Sequence, residues 1–167
     1  MAQTNLYKVQ KSEVVFSSNA PKELIKASTD NLEGILDIQK KTFAFKVAII
    51  SFMGFNSPLQ REHFNENYME SEKFPFAYFT GKIIEDHDLG KNGTYTIRAK
   101  GKLTIHGIAQ EKIISVRVEV KSKKIDTHSE FSVLLNDYGI KIPRIVNDKL
   151  ASEIKVSVTA SFIAFKN

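Results

Sequence analysis

The clearest alternation in the chain runs through residues 93–107. From Tyr95 to Ile105 the odd positions are apolar or small, and from Thr94 to His106 the even positions are polar. A period of two marks a strand with one face in a core and the other in water. The next segment supplies a partner, because Ile114, Val116, Val118 and Val120 alternate with Ser115, Arg117, Glu119 and Lys121. A hairpin turning through Gly107 to Gln110 sets Ala99 opposite Val118, Gly101 opposite Val116 and Leu103 opposite Ile114. On the outer face it sets Arg98 opposite Glu119. A slip of one residue would send every apolar side chain of one strand to the solvent face.

The same pattern, read along the rest of the chain, predicts mostly strands. Val9 to Ser18 is a strand candidate. Asn19 to Lys26, with Pro21 and Glu23 early, has the form of a helix start and predicts one or two helical turns. Glu33 to Gln39 and Lys41 to Ser51 form a second hairpin, with Phe43, Phe45, Val47 and Ile49 sharing a face. Ser57-Pro58-Leu59-Gln60 then has the shape of a helix N-terminus, with Pro in the first helical position, and the helix can continue to Tyr68. This excursion is long for a link between strands, and Gly54 to Phe74 is read as a lid. Strands resume at Phe76 to Ile84, and Glu85 to Asn92 is a charged turn. Thr127 to Leu135 is a further strand with Phe131 and Val133 inward, and Asn136 to Gly139 is turn chemistry. A short helix is expected near Asn147 to Leu150. The last strand runs from Ser152 to Phe165 with Ile154, Val156, Val158, Ala160 and Phe162 inward.

About eight long, consecutive antiparallel strands argue for an all-β sandwich or an up-and-down barrel in a single domain over residues 1–167. A long final strand that pairs with an early one closes a barrel and removes its exposed edges, which favours the barrel. An eight-stranded barrel is either filled by its own side chains or holds one small ligand. The inward set includes the small residues Gly81, Ala99, Gly101 and Ala160, which either leave an elongated apolar cavity or make room for the phenylalanines. A hollow interior would be lined by Phe43, Phe45, Val47, Phe79, Tyr95, Ile97, Leu103, Val116, Val118, Phe131, Val133, Val156 and Val158. Its mouth would carry His63, Tyr68 and Tyr138.

Composition narrows the chemistry. There is no Cys, so disulfides, thiolate metal sites and cysteine nucleophiles are excluded. The net charge of +5 is mild and spread over outward faces, as a solvated surface would have it. The twelve Phe lie opposite the charges rather than among them, unlike a nucleic-acid platform. No apolar run is long enough for an integral membrane span. His63, His87, His106 and His128 are not at metal-ligand spacing, so neither a metal nor a cofactor is expected. Glu62, Glu66, Glu70 and Glu72 read as a solvated acidic face, and His106 as a structural hydrogen bond at a turn. Residues 2–3, Ala-Gln, are read as the remnant of a removed signal peptide, with Met1 added. Nothing in the pattern argues for or against a homodimer through an edge or the lid.

Gly101-Lys102-Leu103-Thr104-Ile105-His106-Gly107 resembles the G-x-L-T-I-H-G segment of the YceI-like family of lipid- or polyisoprenoid-binding periplasmic proteins. Arg61-Glu62-His63-Phe64, followed by Phe74-Pro75 and then Phe79, is similar to a second family segment. Asn136-Asp137-Tyr138-Gly139-Ile140 is similar to its R-x-D-aromatic-G turn, and Val9 to Phe16 and Glu33-Gly34-Ile35 match its first strands more loosely. The chain departs from the family at Asn136, where the usual basic residue is missing nearby. It departs again over Asn19 to Asn31, which lacks a short His-Gly turn. The resemblance implies a lipocalin-like barrel in a periplasmic or secreted protein. It also implies non-enzymatic binding of an isoprenoid, an isoprenoid quinone or a fatty-acid-like lipid, for transport, storage or sequestration. The alternative is an enzyme acting on a small apolar substrate in the same cavity, with His63 as acid/base.

Overall fold

The computed structural model describes residues 5–166; the signal-peptide remnant read at residues 2–3 lies outside them. Nine strand segments follow one another: β1 Leu6–Asn19, β2 Leu24–Thr29, β3 Leu32–Asp37, β4 Thr42–Ala48, β5 Phe76–Ile83, β6 Gly93–Ile105, β7 Ile108–Lys121, β8 Lys124–Leu134 and β9 Glu153–Ala164. All pairings between them are antiparallel. β2 and β3 act as one barrel strand with a break at Asp30-Asn31. Val14 pairs with Thr29 and Leu6 with Asp37, so both segments lie on the same edge of β1 in one register. The other edge of β1 pairs with β9, which closes an eight-stranded barrel.

The segment expected to start a helix is a strand instead. Ile25, Ala27 and Thr29 are buried while Leu24 and Lys26 are exposed, a period-two pattern that a helix would scatter around its circumference. Pro21 and Glu23 belong to the turn before it, where Ala20 N–H donates to the Glu23 carbonyl at 3.1 Å. The short helix expected near Asn147 to Leu150 is a 3₁₀ turn over Arg144–Val146, followed by turn residues. The lid helix is where the sequence put it. α1 spans Pro58–His63, Ser57 caps it by accepting from Gln60 N–H, and one π-helical turn, Phe64–Tyr68, follows.

The β6–β7 hairpin is four residues out of the expected register. Its turn is only His106-Gly107, and both residues have positive φ (55° and 73°). Two-residue turns of this left-handed kind match the twist of paired strands. Ala99 therefore faces Ile114, Gly101 faces Lys112, Leu103 faces Gln110 and Arg98 faces Ser115. Arg98 takes Glu85 as its ionic partner at 2.8 Å, and that hydrogen bond holds the Glu85 carboxyl below its ordinary range.

Two of the small residues are small for the backbone's sake. Gly81 and Gly101 face each other across β5 and β6. A Cβ on Gly101 would lie 2.1 Å from the Thr80 carbonyl oxygen, and one on Gly81 2.0 Å from that of Lys100. Ala99 and Ala160, by contrast, face the barrel interior. The backbone approach at Gly101 sets a stability expectation: Gly101→Val forces β5 and β6 apart. Urea unfolding is expected to show a loss of about 3 kcal/mol or more.

Candidate functional site

The barrel is packed at one end and hollow above it. Tyr7, Leu36, Phe43, Ile83, Ile97, Ile125 and Phe162 form a buried cluster near the β3–β4 and β5–β6 connections. Leu89, 2% exposed, plugs that end from within the charged Glu85–Asn92 segment. Thr127 donates its hydroxyl to the Ala160 carbonyl at 3.2 Å, so one polar side chain among those facing inward is already engaged.

The other end is covered by the excursion between β4 and β5. Ile49 N–H donates to the Pro75 carbonyl at its root, and Met53 pairs with Ser28 of β2. Phe64 stacks on Phe16 of β1 with centroids 5.2 Å apart, and Phe52 and Phe55 pack around them. Arg61 donates from Nη2 to the Ile50 carbonyl at 2.8 Å and from Nε to the Phe52 carbonyl at 3.3 Å, fixing the helix to the 3₁₀ turn Ile49–Ser51 and the residue after it. Between plug and lid lies a cavity of about 300 Å³ lined almost wholly by apolar side chains. That size lies at the lower end of the usual range for small-molecule pockets.

Twelve of the expected lining residues face this cavity: Phe43, Phe45, Val47, Phe79, Ile97, Leu103, Val116, Val118, Phe131, Val133, Val156 and Val158. Tyr95 does not. It sits at the plugged end, beside the His87 ring, and donates its hydroxyl to the Lys91 carbonyl at 2.9 Å. Of the three mouth residues, only Tyr68 lines the cavity. Burial pushes its phenol above the ordinary range, so it is a neutral hydrogen-bonding group at physiological pH. Tyr138 is 2% exposed and packs with Leu103, Val133, Ile140 and Ile154 rather than in the opening. Burial and the nearby Asp137 carboxylate raise its phenol as well. His63 is exposed on the lid, and its ring meets Asn67 Oδ1 at 3.1 Å. It lines no part of the cavity, because Phe64 and Tyr68 take the inward side of that helix.

Sequence reasoning missed the lining that comes from Phe16, Phe52, Phe55, Phe64 and Leu89. All except Phe16 lie outside the strands, where no periodicity marks them. It also missed the role of Glu70. This carboxylate hydrogen-bonds His106 Nε2, while His106 Nδ1 lies 2.9 Å from the Tyr138 carbonyl. Both ring nitrogens are thus engaged, one by a carboxylate and one by a backbone carbonyl. The contact ties the end of the lid to the β6–β7 turn, and the Phe74 ring lies edge-on to the imidazole at 4.9 Å. Among the described residues no His, Asp and Glu cluster could hold a metal ion, and no helix is long and apolar enough to cross a membrane.

A closed antiparallel barrel with a lidded apolar interior defines a class of protein built around a buried hydrophobic space. Residues 7–162 match the YceI-like domain, and the chain belongs to that family. No curated protein matches the chain in sequence. Among solved structures, a polyisoprenoid-binding domain from Saccharophagus degradans, implicated in plant cell wall breakdown, superposes with a TM-score of 0.83 at 14% identity. The match covers 98% of this chain and 100% of that one. BcnA of Burkholderia cenocepacia follows at 0.74 and 15% identity, covering 90% and 95%. The YceI protein of Campylobacter jejuni gives 0.67 at 15%, covering 86% of each chain. At these identities the likeness is one of fold.

The Glu70–His106–Tyr138 contact makes a prediction about the lid. His106→Ala is expected to cost about 2 kcal/mol, through the loss of its two hydrogen bonds to the Glu70 carboxylate and the Tyr138 carbonyl. Hydrogen exchange should show residues 64–74 opening faster than the barrel strands.

Proposed function

We propose that this protein binds the hydrocarbon chain of an amphiphile in its barrel, without chemistry, for transport, storage or sequestration. The observation that carries this reading is the cavity itself, which is apolar along its length, plugged below and covered by phenylalanines above. Each CH₂ group transferred into such a space contributes about 0.8 kcal/mol. A sixteen-carbon chain therefore gains ample gross stabilisation before the entropy of binding is subtracted. The name of the Saccharophagus domain, a polyisoprenoid binder, supports an isoprenoid chain or isoprenoid quinone as one class of ligand. A fatty-acid-like lipid satisfies the same wall. Membership of the YceI-like family is consistent with a periplasmic or secreted location.

The enzymatic alternative rested on His63. Catalysis in the cavity needs that imidazole to reach a substrate there, with a partner that orients it. His63 is exposed on the lid, and the side chain it meets is an amide, so no observation favours this reading.

Native mass spectrometry of the purified protein tests the proposal. Either a co-purified lipid-sized adduct or stoichiometric loading from added palmitate or farnesol is the expected result; a protein that neither carries nor takes up any amphiphile refutes it. Val158→Phe, which fills part of the cavity, is expected to weaken loading at least tenfold while the barrel still folds, at an overpacking cost of about 1–3 kcal/mol.

A further inference from the structure

The β7–β8 pairing stops short. The ladder runs from Lys121↔Lys124 to Val116↔Ser129 and no further, although β7 continues back to Ile108 and β8 forward to Leu134. Over this stretch the two strands are joined by side chains. Lys112 donates from Nζ to the Ser132 carbonyl of β8, and Gln110 donates from Nε2 to the carbonyl of Asp137, in the 3₁₀ turn after β8, at 2.7 Å. The seam is thus bridged by side-chain bonds where the backbone ladder has stopped.

Lys112 stands apart from the other charges of β7, which lie on its outward face. It occupies the β7 face that carries Ile114, Val116 and Val118, opposite Gly101, and it is half-buried. Its ammonium lies 5.6 Å from the ring centroid of Phe131, and that ring lines the cavity. Among the described residues no carboxylate forms an ion pair with it. This half-buried cation therefore meets one carbonyl and one aromatic face, with no carboxylate counter-charge among the described residues. An anion arriving with a ligand would complete it.

We propose that Lys112 binds the anionic head group, a carboxylate or a phosphate, of an amphiphile whose chain lies in the barrel, with the head seated at the β7–β8 seam. This rests on the chain-binding reading above and narrows its ligand to acidic amphiphiles. The head group displaces the Ser132 carbonyl as the partner of Lys112, or shares the ammonium with it. The chain runs inward past Phe131.

Competition against the neutral fluorophore N-phenyl-1-naphthylamine tests this, with palmitate, hexadecyl phosphate and hexadecanol as competitors. Lys112→Met and Lys112→Gln are expected to weaken the acidic competitor that fits the seam about tenfold, and to leave hexadecanol within about twofold of wild type. Lys112→Arg is expected to keep the wild-type ratio. The larger of the two acidic losses identifies carboxylate or phosphate as the head. Equal weakening of acid and alcohol, or no weakening of either acid, overturns the proposal. If wild type binds hexadecanol but neither acid, the seam assignment fails and the chain-binding reading stands. If it binds no competitor and no fluorophore, the chain-binding reading itself fails.

Discussion

β1 is hydrogen-bonded on both edges, to β9 along one and to β2 and then β3 along the other. Everything else in the molecule depends on that double pairing. It turns a meander into a closed wall, although the ladder to β2 and β3 is interrupted between Lys8↔Ile35 and Val14↔Thr29, and it fixes which side chains are inside. Closure also demands adjustment within β1 itself. Its register against β9 shifts between Val9 and Lys11. Tyr7 is therefore buried from an odd position and Val14 from an even one. The paired strand changes phase in the same interval, from Leu36 to Thr29, across its break at Asp30-Asn31. Two strands that bend together keep one continuous inner face.

The interior is hollow because the wall is closed and both ends are stopped by groups that do not reach the middle. Leu89 and its neighbours pack one end, and the lid phenylalanines pack the other. The facing glycines on β5 and β6 bring two backbones together without adding open space. Space comes instead from Ala99 and Ala160, and from valines on β7 and β9 that are too short to cross the barrel. The lid is attached by contacts of different kinds: aromatic packing over β1, backbone bonds at its root, and side-chain hydrogen bonds between Glu70 and His106 and from Gln60 to the Glu23 carboxylate.

Alternation along the strands was enough to read the barrel and most of its lining, because period-two burial is set by each strand alone. It was not enough to read the β6–β7 register. A four-residue slip keeps every side chain on its own face, so hydrophobic pattern is blind to it, and only the positive φ of His106 and Gly107 decides. Lys112 was hidden for the same reason, since its place opposite Gly101 follows from that register. The first residues of β2, Leu24 to Lys26, fall within the expected helical turns because Pro21 and Glu23 imitate a helix start just before them. The lid side chains were illegible beyond the cap at Ser57, since tertiary packing rather than local periodicity selects Phe52, Phe55 and Phe64.

A chain-binding barrel makes one physical demand, that hydrocarbon lie along the axis between the plug and the lid. An electron-density map of crystals grown from protein loaded with palmitate tests that demand most directly. The account predicts continuous elongated density between Leu89 and Phe64, in contact with Phe79, Phe131 and Val158. Density confined to the outer surface, or a barrel whose side chains close over the space with no ligand inside, would contradict it.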